Sequence, residues 1–267
     1  MHAFPEPGHF REESEALYRL LDPLEEAGFA RATQFKRWTV DDILRHLHFW
    51  NGAAEQSLAD AAGFAVFLAR LRSDLPRSSL REMEDAALAP LRGRALLRAW
   101  HERCGRLAER FAAADPKARL LWAGPDMSAR SSISARLMET WAHAQAAYDL
   151  LGVERVDTDR IRSIAHLGVN TFGWTFRNRG EEPPARAPHV RLAAPSGAHW
   201  RWNEPSEEEL VEGSATEFCQ VVAQTRNVAD TGLAVRGEAA ARWMTMAQCF
   251  AGPPQDPPLP GTRFRSG

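Results

Sequence analysis

The sequence contains few cysteines and lacks both a long apolar run and a cluster of positive charge. The three cysteines, Cys104, Cys219 and Cys249, are odd in number, far apart and form no CxxC pair. This pattern argues against a disulfide framework and a thiolate zinc site, and it predicts that the three are buried small apolar side chains. The first 17 residues lack the basic start and apolar centre of a signal peptide, and no later stretch is long enough to cross a bilayer. We therefore expect a cytoplasmic protein with no membrane partner.

Charge and motif content narrow the class of function further. The formal net charge is -2, and Arg alternates with Glu and Asp along most of the chain, so no nucleic-acid partner is expected. The sequence also lacks a Gly-rich phosphate loop, a GxSxG motif and a Cys-His arrangement, which argues against nucleotide-dependent and serine-hydrolase chemistry. With 267 residues, 44% of them apolar, the chain fits one large domain or two ordinary ones, and we expect two.

Helical periodicity dominates the chain up to about residue 155, which predicts an all-helical first domain at 1–155. Thr39 and Asp42 are spaced as a capping box at the start of one candidate helix, and Gly152 suits a left-handed cap at the end of another. The candidate helices are 11–27, 40–60, 64–74, 92–114 and 130–151.

The composition changes after residue 155, and residues 156–267 are predicted to form a small α+β domain with a Pro-rich tail. Proline and glycine near residue 180 end a candidate helix, and short β-branched or aromatic runs follow. The predicted helices are 157–178, 214–226 and 238–249, and the predicted strands are 189–193, 199–203 and 233–236.

A carboxylate and an imidazole, Glu139 and His143, lie four residues apart and so leave one helix from the same face. An isolated pair of this kind is ordinarily a solvated surface pair. Here Leu137, Met138 and Trp141 make the helix apolar over much of its circumference, which is typical of an inner helix of a bundle. Charged groups that point toward a core need partners, and a metal ion is one such partner.

His46 is the candidate third ligand. It shares the inward stripe of its helix with Ile43 and Trp50, whereas His48 lies about 200° away around the helix axis. Two imidazoles and one carboxylate leave part of a coordination sphere open, as in a catalytic site. They suit zinc, nickel, iron and manganese.

Three further residues are candidates around this cluster. Arg136 lies on the same side of its helix as Glu139 and can hold an anionic substrate or stabilise developing charge. Arg130, just before that helix, is a second candidate, although a solvated surface arginine explains either position equally well. Asp42 stands one turn before His46 and can hydrogen-bond its ring, but its capping role alone would also explain it.

Substrate contacts are predicted for Trp50, Trp174 and His166. Trp50 shares the stripe of His46, and Trp174 lies in a segment that mixes aromatic rings with arginines and can line a cleft between the domains. His166 is on the same predicted helix and can serve as an acid or a base. Core packing explains the tryptophans and a structural role explains the histidine. A homodimer is the default expectation for the assembly.

The block WTVDDILRH, from Trp38 to His46, followed by the ExxxH of Glu139 and His143, resembles the mycothiol-dependent maleylpyruvate isomerase N-terminal family. That family belongs to the DinB-like metalloprotein superfamily. The resemblance covers residues 10–152 and implies an up-down four-helix bundle. It also implies one divalent metal ion, usually zinc, on the three residues His46, Glu139 and His143.

The C-terminal part resembles the smaller domain that follows the bundle in such isomerases. The whole chain, with its WAGPDMSARSS and NTFGWTFRNRG blocks, resembles an uncharacterised bacterial group of metal-binding proteins in this superfamily. The resemblance implies a metal-dependent enzyme that activates a low-molecular-weight thiol, such as mycothiol or glutathione, for isomerisation, conjugation or lyase chemistry on a small electrophilic substrate. Two alternatives stay open: a hydrolase that uses a metal-activated water, and a non-catalytic binding protein that a metal stabilises.

Overall fold

The computed structural model describes residues 4–267 and divides the chain into two compact units, one ending at Leu150 and the other beginning at Leu151. The first unit is almost entirely helical, and the second combines short helices with a four-stranded sheet. The predicted mainly α fold with a small α+β C-terminal part is confirmed. Over residues 4–267, no helix is both long enough and apolar enough to span a membrane.

Four long helices form the bundle of the first unit and bury its apolar core, including Trp100 and Trp141, both inaccessible to solvent. A two-stranded antiparallel ribbon precedes the last of them. The elements are α1 (Glu6–Leu21), α2 (Glu26–Phe29), α3 (Val40–Ala59), α4 (Ala61–Asp74), α5 (Leu80–Ala87), α6 (Gly93–Ala113), β1 (Arg119–Leu120), β2 (Met127–Ser128) and α7 (Ala129–Leu151).

Local sequence signals set several helix ends. The Thr39 side chain accepts the backbone N–H of Asp42, and the Asp42 carboxylate accepts that of Thr39, which completes the predicted capping box of α3. Gly152 has a φ of +69°, as predicted for a left-handed cap after α7. The predicted helix 11–27 is wrong at both ends, because α1 begins at Glu6 and ends at Leu21. Pro23, two residues after Leu21, lacks the N–H that a continuing helix needs.

The periodicity analysis did not predict α5. A reciprocal capping box starts this helix: Ser79 accepts from the backbone of Glu82, and Glu82 accepts from the backbone of Ser79. The Ser-x-x-Glu spacing is a recognised start signal and was available in the sequence. The helix matters to the site because its one buried side chain, among its eight residues, is Glu84.

The sheet of the second unit has the order β4-β3-β5-β6, in which β3 and β5 are parallel and the other pairs are antiparallel. The sequence analysis missed β5, which lies inside the sheet. The predicted helix 157–178 is divided at Thr171, whose hydroxyl donates to the carbonyls of Leu167 and Gly168. The elements are α8 (Arg162–Asn170), α9 (Phe172–Asn178), β3 (His189–Ala193), β4 (His199–Trp202), β5 (Leu210–Ser214), α10 (Ala215–Val222), β6 (Ala234–Arg236) and α11 (Glu238–Met244).

The Pro-rich tail has no regular structure but is tied to the second unit. Asn227 donates to the carbonyl of Pro258, and the Gly261 N–H donates to Asp230. The last residues reach the start of the unit, since a Cβ on Gly152 would lie 2.9 Å from the Ser266 carbonyl oxygen. The tail therefore returns along the unit to its first residues.

Candidate metal centre

Two helices of the bundle bring His46, Glu139 and His143 together. The His46 Nε2 atom on α3 lies 3.6 Å from the Glu139 Oε2 atom on α7, and the His143 Nε2 atom lies 3.3 Å from that same oxygen. The ligand atoms of all three residues lie within 4.8 Å of one another. The three side chains are only 12%, 21% and 11% exposed, so the cluster is largely buried.

The separations suit a shared cation better than direct hydrogen bonds. Hydrogen bonds between nitrogen and oxygen usually span roughly 2.7–3.2 Å. Two ligand atoms that lie about 2.1 Å from one tetrahedral ion stand about 3.4 Å apart. The distances from Glu139 Oε2 to the two imidazole nitrogens, 3.3 and 3.6 Å, are close to that second value. The donor set and its spacing therefore fit a divalent metal ion.

The three residues of the cluster shift one another's pKa values when no cation is bound. Burial on its own would lower the pKa of His46, but its contacts with the Glu139 and Glu84 carboxylates outweigh burial and raise that pKa to about 9. Burial would raise the pKa of Glu139, yet His143, His46 and the Arg136 charge hold it well below its usual value. The pKa of His143 is lowered by burial and by the neighbouring His46, against the opposing effect of Glu139. Without a metal ion, these contacts therefore favour one positive charge in the cluster, carried by a protonated His46.

Aromatic rings line the cluster. The Trp38 ring is parallel to the His143 ring, with centroids 5.7 Å apart, and lies 5.4 Å from the His46 ring. Trp50 was predicted to contact substrate, and its ring centroid lies 6.4 Å from that of His46. Such walls limit the access of water and strengthen electrostatic interactions at the centre.

A tight loop before α3 holds Trp38 in this position. The Thr33 N–H donates to the Trp38 carbonyl at 2.7 Å, which closes the loop. Within it, Lys36 and Arg37 have φ angles of 48° and 61°, a conformation that costs a residue other than glycine roughly 1–2 kcal/mol. Backbone strain of this kind is concentrated at functional sites.

Arg136 is buried beside the cluster and is not a solvated surface residue. It is 3% exposed, and its Nε atom donates to the Asn51 side chain at 3.0 Å. Its Nη2 atom has no hydrogen-bond partner among the described residues. Burial lowers the pKa of Arg136, and the Glu139 charge opposes that change. A buried guanidinium with a donor to spare, one turn from Glu139, can bind an anionic group.

Arg130 and Asp42 have contacts different from those predicted. The Arg130 side chain is 53% exposed and pairs with Glu6 at 3.6 Å, and about six helical rises separate it from Arg136 along α7. Asp42 accepts from the Thr39 backbone and pairs with Arg81, which occupies its carboxylate. The hydrogen bond to the His46 ring that was predicted for Asp42 is made by another carboxylate.

Glu84 is that carboxylate, and sequence reasoning missed it. Its Oε1 atom lies 2.8 Å from His46 Nδ1 and accepts the Trp50 indole N–H at 3.0 Å. The capping box of α5 was the available signal for the helix, but no spacing rule relates Glu84 to His46, because 38 residues separate them.

The other predicted substrate residues lie in the second unit. Trp174 is half-buried on α9. His166 is exposed on α8, and both of its ring nitrogens are hydrogen-bonded, to Trp202 and to Asn170. Their roles in substrate contact stay predictions.

Comparison with known proteins assigns the family. The sequence model of the mycothiol maleylpyruvate isomerase N-terminal domain matches residues 10–148, more than half of the chain, including all three residues of the cluster. The chain belongs to this family. Its relatives include an uncharacterized protein of Mycobacterium tuberculosis, found in two strains, to which it is 40% identical over 255 residues. That match covers 93% of this chain and 98% of the relative.

Two solved structures of the family share the fold. They are the mycothiol-dependent maleylpyruvate isomerase and a histidine mutant of it, with TM-scores of 0.55 and 0.54 and sequence identities of 18% and 17%. Each match covers 84% of this chain and 90% of the solved chain. The structural similarity extends beyond the bundle, because it covers 84% of the chain, whereas the family model matches only residues 10–148.

Proposed function

We propose that this protein is a metal-dependent enzyme that activates a low-molecular-weight thiol for isomerisation, conjugation or lyase chemistry on a small electrophilic substrate. The observation that carries the proposal is the convergence of two imidazoles and a carboxylate, within 4.8 Å, from two helices. Family membership adds the thiol, because the solved relatives are mycothiol-dependent. Zinc is our first candidate for the ion, with nickel, iron and manganese compatible with the same donors.

His46, Glu139 and His143 would hold the ion and leave part of its coordination sphere open to the solvent side. When bound, a divalent ion at such a position supplies Lewis acidity that lowers the pKa of a thiol ligand. The chain provides the surroundings: Trp38 and Trp50 exclude water, and the loop at 33–38 fixes the first of these rings.

Arg136 would hold an anionic group of the substrate or of the developing product. Its charge is buried, its Nη2 atom is not hydrogen-bonded within the described chain, and Asn51 fixes the plane of its guanidinium. A preorganised cation in a dry site stabilises developing negative charge far more than a solvated one does.

The metal claim is tested by elemental analysis of the purified wild type and of His46→Ala, Glu139→Ala and His143→Ala. We expect one ion per chain in the wild type and its loss in all three variants. Thiol use is then tested by measuring turnover of a panel of electrophilic substrates, maleylpyruvate among them, with mycothiol, with glutathione and with neither. A rate that does not depend on thiol would favour a hydrolase, and a loaded protein without any turnover would favour a binding role.

Arg136→Met is expected to lower kcat/KM by about 100-fold or more, as for other preorganised electrostatic groups. Arg130→Met is the matched control, because it removes a half-exposed arginine from the same helix. Metal content and the thermal melt must stay close to wild type for the comparison to count, and Arg136→Lys tests whether charge alone suffices. Equal loss of activity in the two methionine variants would contradict the role of Arg136.

A further inference from the structure

Glu84 is a buried carboxylate on a helix that otherwise lies on the surface. It is 2% exposed, whereas every other residue of α5 is at least partly accessible. A buried charge is costly unless it is paired and hydrogen-bonded. Both hydrogen-bond partners of its Oε1 atom, the His46 ring and the Trp50 indole, come from α3, one turn apart.

These two contacts assign the proton on the His46 ring. A tryptophan indole can only donate, so Oε1 is an acceptor, and an ionised carboxylate can only accept. His46 Nδ1 must therefore carry the hydrogen that lies between it and Glu84 at 2.8 Å. In the neutral ring this leaves the lone pair on Nε2, the atom that faces Glu139.

Other contacts hold α5 against α3 on either side of Glu84. Arg81 pairs with Asp42, and Arg45 Nε lies 2.8 Å from Asp85 Oδ1. Arg45 also donates to the carbonyls of Leu88 and Leu91, just beyond the helix. Because these contacts do not involve the cluster, α5 has anchors that do not depend on Glu84.

We propose that Glu84 is a positioning residue for the metal centre: it fixes the Nδ1–H tautomer and the orientation of His46, so that Nε2 is presented as a ligand. This deepens the proposed function and rests on it for the identity of the centre. Carboxylates that orient a ligating histidine in this way typically raise metal affinity by about 10- to 100-fold.

The first measurement is the tautomer of His46 by ¹⁵N NMR of metal-free protein, at a pH at which the same spectra show the ring to be neutral. We expect Nδ1–H in the wild type and a shift toward Nε2–H in Glu84→Ala. Glu84→Gln keeps an acceptor oxygen and should retain Nδ1–H, which also covers the case in which the alanine variant folds poorly. An unchanged tautomer in a folded Glu84→Ala protein overturns the proposal, whether or not the wild type binds metal.

The second measurement is the affinity for Zn²⁺ by competition with a chromophoric chelator. We expect a loss of about 10- to 100-fold in Glu84→Ala and a smaller loss in Glu84→Gln. Asp85→Asn is the matched control, since it removes a neighbouring carboxylate that also contacts α3 but not His46. Equal losses in Glu84→Ala and Asp85→Asn would show that Glu84 only docks the helix. A wild type that binds neither Zn²⁺ nor Ni²⁺, Fe²⁺ or Mn²⁺ refutes the proposed function and leaves the tautomer measurement to decide the role of Glu84.

Discussion

The two faces of α3 give opposite environments to two histidines only two residues apart. His46 faces Glu139 and Glu84, and its contacts with these two carboxylates overcome the effect of burial and raise its pKa to about 9. His48 is 4% exposed, and burial followed by the charges of Arg103 and Arg106 lowers its pKa to about 4. The same side chain on the same helix is therefore prepared for a cation on one face and kept neutral on the other. The residues that pack against α3, not the helix itself, determine the pKa of each histidine.

Metal loading should produce the largest difference between the two histidines, because only the His46 face can hold the ion. A ligand that binds only the native state at about 1,000 times its Kd stabilises that state by about 4 kcal/mol. We expect this gain for the wild type and for His48→Leu, and none for His46→Ala. Urea unfolding of each protein with zinc and with chelator measures it. A gain in His46→Ala, or its loss in His48→Leu, would contradict the assignment of the two faces.

Acidification should destabilise the protein through His48, on the other face of α3. The pKa of His48 is lowered from its ordinary 6.5 to about 4, so its contribution to stability is fully present above pH 6.5 and is lost as the pH falls toward 4. A shift of this size corresponds to at most about 3 kcal/mol. We expect metal-free wild type to lose more free energy of unfolding between pH 7 and pH 4.5 than His48→Leu does. Identical pH profiles for the two proteins would show that His48 is not the acid-sensitive group.

Proton competition at the centre is the smallest of the three effects. With a pKa of about 9, metal-free His46 is protonated at neutral pH, and that proton must leave before a metal can bind. Apparent zinc affinity should therefore rise about tenfold, or 1.4 kcal/mol, for each pH unit between 7 and 9. Calorimetry in buffers of different ionisation enthalpy should show release of about one proton per ion. His48→Leu serves as the control with an unchanged slope, and a flat profile in the wild type would exclude a protonated His46.

Helical periodicity was enough to separate the two histidines. At 100° per residue, His46 shares a stripe with Ile43 and Trp50 whereas His48 does not, and the structure brings His46 beside Glu139 and His143. The ExxxH spacing places its two side chains on one face for the same reason. Relations within one helix follow from the sequence because the geometry of the helix is fixed.

The contacts between helices could not be predicted from the sequence in the same way. Glu84 reaches His46 only because α5 folds back on α3, and α5 itself was missed although its Ser79–Glu82 capping box was readable. The strand β5 was missed because its apolar run is only Leu210 and Val211, next to acidic residues; its pairing with β3 makes it a strand. Arg130 and Arg136 were equivalent in sequence, and only tertiary packing buries one and exposes the other.

The return of the tail to Gly152 bears on how the chain is made. The first unit can complete its helical bundle while synthesis continues, because its contacts lie within the residues already translated. The second unit begins beside Ser266, so its opening residues find this neighbour only after the chain has been translated as far as residue 266. The bundle can therefore form early in synthesis, whereas the contact between the tail and the start of the second unit can form only late.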